Sequence, residues 1–585
     1  MLIPDAFLGP DDIPECHGER RRVLLVCPPF QALSLSSLAV AQLATVLRSQ
    51  GIECSEAYLH FDFARLVGKN TYNNVRDIRS GLTAELLFVE GLHGTPQDPE
   101  AERQLTALYG PSEARAVLRQ QLADRCLSSV DQSKPDLVGF TTSFSQLMAS
   151  LWLTHVIKQK FPEMFVVLGG AACSEPMGTQ VLSAYPQVDR AISGFGEGPL
   201  LQLALRKESQ DRLIHSNEPL SLDSLPVPDY TSFFEQAGEF ADDAELLVTF
   251  ESSRGCWWGQ KNQCMFCGLN GVEIHFTSKS SRRVVSEVRE LWDRHGRNLY
   301  ATDTILSREH LRSAIVELGQ FEQGPHLFYE CKANLSEADV VALRRARVRN
   351  IQPGIESLNS HVLGLLRKGV TAIRNLALLK WCAERGISVL WNLLCVIPGE
   401  TFGDYDQQIL LFDRIPHFQP PDAVKAVRID RYSPFFKEYR NFGWRRLQPF
   451  PEYRWLHPHL DAAALQDIAY HFDGVGGIQP GPYLKRLHTA VADWKERFKQ
   501  ADGLFLSPEK GLVRHESGHG FQYSRSPILE KIIDLTHEIV TVEHVLNAAQ
   551  CGIGQLEQLV KANILYREGD KVLNLTVRTH PPSLQ

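Results

Sequence analysis

The sequence predicts an α/β protein in three parts: a doubly wound, Rossmann-like domain, a partial (β/α)6 barrel, and a mainly α C-terminal region ending in a winged-helix-like module. Three observations carry this. Short β-branched strands alternate with helices from residue 22 to 194; six further strand–helix units of roughly thirty residues each begin near 241; and 525–578 reads as three helices and a hairpin. A chain of 585 residues is also too long for one core. The boundaries that follow are 1–215 for the first domain, 216–240 for a linker, 241–436 for the barrel and 437–585 for the C-terminal domain.

"RVLLVCPPF" (22–30) reads as a buried strand with a proline stop, and "SLAVAQLATVLRSQG" as a helix with Gly51 as its cap. A polar, helix-prone insertion covers about 62–130. Strand "PDLVGFTTSF", helix "LMASLWLTHVIKQKFP", strand "MFVVLGG", a helix around "GTQVLSAYP" and strand "DRAISG" then follow. Ligands of such sheets bind at the carboxyl ends of the strands. Those ends carry Thr141, Thr142 and Ser143, then Gly169 and Gly170, then Gly194, Phe195 and Glu197. Glycines and small hydroxyls in three successive loops let a large flat ligand approach the backbone. Residues 216–236, with three prolines and no regular period, mark the linker. Barrel strands are expected at about 245–252, 298–303, 326–331, 350–355, 388–397 and 423–430, with helices such as "RRVVSEVRELWDRHG" and "AIRNLALLKWCAERG" between them. The stretch from 437 has weak periodicity and receives no assignment before 525.

A net charge of −8 offers no general attraction to nucleic acid or anionic lipid. The apolar runs fall far short of the ~18 residues that span a bilayer, and the N-terminus has acids where a signal peptide needs bases. The expectation is a cytoplasmic protein with neither membrane nor nucleic acid as partner. In a reducing compartment a tight cysteine cluster points to a metal or catalytic site. Such a cluster is "GCWWGQKNQCMFCG", with Cys256, Cys264 and Cys267 in a C-x7-C-x2-C spacing after the first barrel strand. Three thiolates can hold three irons of a 4Fe–4S cluster and leave the fourth open. A structural zinc ion needs a fourth ligand, and His275 lies outside the usual tight spacing.

The C-x-F-C ending resembles the cluster loop of the radical S-adenosylmethionine (SAM) superfamily, although its first gap is longer than the common three residues. The resemblance implies cluster ligation by Cys256, Cys264 and Cys267 and an adenine neighbour in Phe266. It further implies a contact to the methionyl amine from Asp303 in "ATDT", to ribose or amine from Glu356 in "GIES", and to adenine from the Pro398–Gly399 turn in "VIPGET". The first domain, with "FTTSF", "VLGG" and "SGFGEGP", makes the whole similar to cobalamin-binding radical SAM enzymes. Cobalamin would then lie on Thr141, Thr142, Ser143, Gly169, Gly170, Gly194, Phe195 and Glu197. No histidine is expected below the cobalt, because D-x-H-x-x-G is missing from "CPPFQALSLSS". A nucleotide cofactor is disfavoured by the lack of G-x-G-x-x-G after the first strand. Over roughly 20–430, the cysteine motif with its Trp-Trp and Gly-Leu-Asn-Gly flanks, "PGIESL" and "VIPGET" resemble the ribosomal peptide maturation radical SAM protein 1 family.

That resemblance implies a methyltransferase acting on an unactivated carbon of a ribosomally made precursor peptide, with cluster, SAM and cobalamin as cofactors and an external electron donor. Two alternatives stay open: a cobalamin-dependent radical SAM enzyme that rearranges or oxidises without methylating, and a zinc-stabilised peptide-binding module. In 525–578 acidic residues outnumber basic ones, which argues against duplex binding. The module either pairs a leader peptide along an exposed strand edge or packs against the barrel to close it.

Overall fold

The computed structural model describes residues 20–77, 81–207, 209–216, 221–242, 245–268, 274–476 and 481–579. The N-terminal segment discussed above therefore lies outside the described residues, as do 217–220 of the linker and 269–271 of the Gly-Leu-Asn-Gly flank.

β1 (Val23–Val26), β2 (Cys54–Ala57), β3 (Leu137–Thr141), β4 (Phe165–Gly169), β5 (Arg190–Gly194) and β6 (Leu213–Ser216) form one parallel sheet in the order β2-β1-β3-β4-β5-β6. All four residues of β1 are buried, as expected of a strand covered on both faces. The order reverses between β1 and β3, which puts the ligand crevice at their carboxyl ends. The edge strands β2 and β6 escape the sequence reading. "CSEA" has no apolar run because Glu56 is buried there against Arg48 at 2.7 Å, and "LIHS" is half exposed.

The polar insertion is helical: Leu59–Val67, Lys69–Asp77, Leu86–His93, Pro99–Tyr109 and Ser112–Ser133. Its polarity is partly internal. The fully buried Arg115 guanidinium bonds Glu90 at 2.7 Å and Glu102 at 3.0 Å. Glu85 accepts from the amides of Met148 and Ala149, both at 3.1 Å, and so caps helix Leu147–Lys160; burial pushes its carboxyl up to about 8.

The described part of the linker departs from the expectation of an irregular tether. Thr231–Ala237 is a helix, and Tyr230 and Phe233 are buried beside Tyr58 and Phe61. Aromatic anchors, which carry no periodicity, decide the structure there.

The second unit is the partial barrel. β7 (Val248–Phe250), β8 (Leu299–Ala301), β9 (Leu327–Glu330), β10 (Val348–Gln352) and β11 (Ser388–Val389) lie parallel in sequential order. The fifth strand breaks and resumes as β12 (Asn392–Cys395), which pairs with β13 (Ala423–Ala426). The expected sixth strand, 423–430, also divides. Its end, β14 (Ile429–Asp430), joins β15 (Arg446–Pro449) and β16 (His471–Val475) in an antiparallel sheet that the sequence did not reveal.

The loop after β1 reaches across to the barrel. The Leu247 amide donates to Ser34 O at 2.8 Å, the Ser36 amide to Leu247 O at 3.1 Å and the Thr249 amide to Ser36 Oγ at 2.8 Å. The segment that lacks the cobalt-ligand motif thus works as a clamp between the two units.

At the C-terminus β17 (Gly503–Ser507), β18 (Gly511–Glu516) and β19 (His519–Gln522) precede helix Pro527–Leu535, β20 (Val540–Thr541), helices Val542–Ala549 and Ile553–Lys561, and the hairpin of β21 (Leu565–Glu568) and β22 (Lys571–Asn574). The sheet order β20-β22-β21 is that of a winged helix. β23 (Val577–Arg578) returns to pair with β17. The β21 side faces the barrel: Arg414 donates to Leu565 O at 2.8 Å and the Ile373 amide to Glu568 at 3.2 Å. A buried network completes the contact, with Lys380 Nζ 2.9 Å from His537 Nδ1 and His537 Nε2 3.1 Å from Glu337.

Candidate active site

The cysteine loop is built by polar contacts at the carboxyl end of β7. Asp303, just past β8, accepts from the Ser252 amide at 2.7 Å, from Ser253 Oγ at 2.6 Å and from Ser252 Oγ. Its carboxylate is buried, which raises its pKa. Ser253–Arg254 then pairs with Thr277–Ser278 to close the base of the loop. Gly255 has φ +77°, and a Cβ there would lie 2.1 Å from His275 O, so no larger residue fits. Cys256 caps the helix Trp257–Asn262, its sulfur accepting from the Gly259 amide at 3.2 Å. The helix takes up the long first gap, whose four extra residues amount to about one turn. Cys264 and Cys267 follow in a tight turn, the Cys267 amide donating to Cys264 O at 3.1 Å, with Gln263 holding Cys267 O at 2.9 Å.

All three thiols are half-buried, and burial raises the pKa of Cys256. Thiolates on one tetrahedral zinc ion sit about 3.8 Å apart. Among the described residues the one trio of His, Cys, Asp or Glu ligand atoms within 4.8 Å of one another is Glu337, Glu384 and His537, on the far side of the barrel helices. The three cysteine sulfurs do not form such a trio.

Around the loop the barrel mouth carries two lysines and two acids. Lys368 Nζ lies 3.3 Å from Glu356 Oε1 and 5.6 Å from the Phe266 ring. Lys332 sits 3.5 Å over the Trp258 ring and donates to Lys368 O; burial lowers it to about 8. Glu330, at the end of β9, is pushed up to about 7 by burial and then by the charges of Glu356 and Asp303. Glu356 and Val396 have φ of +60° and +62° at the ends of the fourth and fifth strands. For a β-branched valine this is strained backbone, of a kind that collects at functional sites. The Pro398–Gly399 turn is held by Glu400, whose carboxylate accepts from the Ile397 amide at 2.8 Å and from Tyr405 Oη at 2.7 Å.

The two units share a cavity of about 390 Å³ at the carboxyl ends of β3, β4 and β5. Its walls are mostly apolar, with Leu25, Val40, Phe140, Val167 and Ile192 below and Glu251, Arg254 and Thr302 of the barrel above. A Cβ on Gly169 would meet nothing within 4 Å, so the missing side chain leaves open room in the cavity. Gly170 has φ +126° and its Cβ would strike Thr142 O at 2.5 Å. Arg254 spans the roof. It bonds Glu251 at 2.7 Å and Glu197 at 2.5 Å, with its guanidinium 5.2 Å from the Phe195 ring. Burial raises the Glu251 carboxyl, and Arg254 more than offsets this, leaving it below its ordinary value.

Of the residues expected around a flat ligand, Thr141, Gly169, Gly170, Gly194, Phe195 and Glu197 line this cavity. Thr142 and Ser143 do not. Thr142 is buried, with its hydroxyl turned to Gly169 O at 3.1 Å and to Cys173, and Ser143 is exposed in the loop beyond. Asp303 is committed to Ser252 and Ser253 and so positions the cysteine loop. Gly139, Glu251, Arg254, Thr302, Glu330, Lys332 and Lys368 were not anticipated. Arg254 stands two residues before Cys256, and Glu330 ends the one early barrel strand to which no residue had been assigned.

The chain thus combines a doubly wound sheet, a partial barrel over it and a three-cysteine loop after the first barrel strand. Residues 250–410 match the model of the Radical SAM superfamily, so the chain carries a radical SAM domain. An uncharacterized methyltransferase of Pyrococcus horikoshii is 22% identical over 290 residues, which cover 46% of this chain and 61% of that protein. The match thus spans less than two thirds of that relative. The radical SAM methyltransferase TsrM from Kitasatospora setae, solved with tryptophan and a SAM analogue bound, superposes with a TM-score of 0.55 at 16% identity, covering 82% of this chain and 89% of that one. A second TsrM structure, holding cobalamin and a 4Fe–4S cluster, gives 0.54 at 16% identity over 93% of this chain and all of that one. The α/β fold is shared with these enzymes. No described helix is long and apolar enough to cross a membrane.

Proposed function

We propose that this protein is a cobalamin-dependent radical SAM C-methyltransferase that methylates an unactivated carbon of a ribosomally synthesised precursor peptide. The observation that carries the reading is the cavity at the crest of the first sheet, roofed by the segment that leads into the three cysteines. When bound, the cofactors supply reductive cleavage of SAM, hydrogen abstraction by the resulting radical, and a transferable methyl group.

The chain's own residues do the rest. Cys256, Cys264 and Cys267 ligate the cluster. Asp303 fixes the turn that presents them. Glu356, Phe266 and the Pro398–Gly399 turn border the space for SAM, and Lys368 balances negative charge between Glu356 and the thiolates. Thr141, Gly169, Gly170, Gly194 and Phe195 would hold the corrinoid, while Arg254 ties Glu197 of the first unit to Glu251 of the second across the roof of that cavity. The apolar walls exclude water from reactive species. Support for methyl transfer comes from the methyltransferase relative and from the fold shared with TsrM. Support for a peptide substrate comes from the sequence motifs.

The test is anaerobic reconstitution with iron, sulfide and cobalamin. Wild-type protein should retain both cofactors and release 5′-deoxyadenosine from SAM. The C256A/C264A/C267A variant should lose iron and that product while keeping cobalamin. A variant with full iron content would overturn the ligand assignment.

A further inference from the structure

On the reading above, each reductive cleavage draws one electron from outside the chain, and the surface beside the cysteine loop has the character of an entry point. An open cavity of about 310 Å³ is bounded there by Trp257, Leu306, Arg308, Arg312, Lys332 and Asp339, among others. Trp257 is the residue after Cys256, and its indole N–H donates to Leu306 O at 3.2 Å. The cavity wall is therefore fixed and one peptide bond from a cluster ligand.

The rim is cationic. Arg308 is exposed, its guanidinium 5.2 Å from the Trp257 ring, and Arg312 is exposed one turn further on. Lys332 is buried beneath the rim, over the Trp258 ring and bonded to Lys368 O, so the exposed charge is that of the arginines and Lys261. Lys261 is exposed four residues after Trp257, hence on the same helix face. Two acids lie close by. Asp339 is spent on the amide and hydroxyl of Ser336 at a helix start, and Glu309 is exposed. In a chain of net charge −8 this rim reverses the overall sign. Local potentials of that kind set which partner approaches and how fast.

We infer that this face docks a small acidic one-electron carrier protein. The inference rests on the radical SAM reading. In the step it serves, the reduced carrier loses one electron and the cluster gains it; no bond or proton changes hands.

The experiment compares the cluster- and cobalamin-loaded wild type with R308E/R312E, using reduced flavodoxin as probe and excess dithionite as a chemical reductant that bypasses docking. Both arginines are exposed, and circular dichroism and iron content serve as folding controls. Flavodoxin-driven release of 5′-deoxyadenosine by the wild type should fall steeply with added salt. In the variant it should be ~10-fold or more slower at low salt and nearly salt-independent, with R308Q/R312Q in between. Dithionite-driven cleavage should be equal in all three. Equal flavodoxin-driven rates would overturn the docking assignment while leaving the radical reading intact. If dithionite drives no cleavage in any of them, the radical reading falls and the docking inference with it.

Discussion

Arg254 joins the two cofactor-binding units, and replacing it by Met gives a sharp test of that role. The side chain keeps 18% of its surface and the two carboxylates it bonds keep 7% each, so solvent screens this trio little. Methionine retains the aliphatic bulk but takes from Glu197 and Glu251 the cation that both bond at the roof of the cavity. Removing one partner of a buried ion pair costs about 3–5 kcal/mol. For a unit of this size, 1 kcal/mol moves the unfolding midpoint by about 2–4 °C, so a drop on the order of 10 °C is expected. Calorimetry of the apo protein at pH 7 measures it, the first transition being the relevant one because a multidomain chain need not melt in one step. Adding E197Q and E251Q to R254M removes the stranded charges and should restore more than half of the loss. A midpoint for R254M within 2 °C of the wild type, or no recovery in the triple variant, would refute the idea that this contact holds the units together.

Three further outcomes follow from the same geometry. Gly169→Leu places a side chain in the open part of the cavity, so cobalamin retention after gel filtration should fall ~10-fold while iron content is unchanged; equal retention would move the corrinoid elsewhere. Glu330 has a folded pKa of about 7, above its unfolded value, so its contribution to stability is complete below pH 4–5 and is lost as pH rises through 7. Glu330→Gln should flatten the decline in stability between pH 5 and pH 8 by on the order of 2–3 kcal/mol relative to wild type, and parallel curves for the two proteins would contradict this. A truncation at Arg525 removes Leu573, Leu575 and Val577, which belong to the main core. It should therefore lower the melting point and expose helix Ala372–Arg385 to protease, whereas a truncation as stable as the full chain would show that the module is not a packing element.

What the sequence disclosed follows from how each feature is encoded. Central strands such as "VLLV" and "FVVLG" are buried on both faces and read as apolar runs, and helices with a cap and a 3.6-residue period, such as Ala372–Arg385, read as well. Edge strands and aromatic anchors did not. Glu56 in β2 and Tyr230 in the linker are buried for reasons of pairing across long separations, which local patterning cannot show. The C-terminal sheet of β14, β15 and β16 stayed hidden for the same reason, because its register is set by distant partners such as Ile429 with Phe472 and Arg446 with Val475.

In the site, the cysteines were legible because three soft ligands in twelve residues are rare by chance, and the odd gap resolves into a turn of helix. The crest glycines were legible as backbone that must stay bare. Thr142 and Asp303 have the right residue type in the right loop, but their side chains turn inward to hold other loops, and direction is not written in the sequence. Arg254 acts through charge across the space between the units, and Lys332 and Lys368 act across the barrel mouth on Trp258 and Glu356, so nothing local marks them. The C-terminal module was identifiable from its helices and hairpin. Its docking through Lys380, His537 and Glu337 was not, and that docking places the β21 side against the barrel.

The central claim is that a methyl group passes from SAM to a peptide. Its most direct test is anaerobic turnover with SAM carrying a deuterated methyl group, reconstituted enzyme, reductant and a candidate ribosomal precursor peptide, read by mass spectrometry of the peptide and assay of 5′-deoxyadenosine. The account predicts a peptide bearing the intact labelled methyl, with 5′-deoxyadenosine formed alongside it and both absent from C256A/C264A/C267A. A modified peptide without label, appearing together with 5′-deoxyadenosine, would contradict it and establish a radical reaction other than methylation.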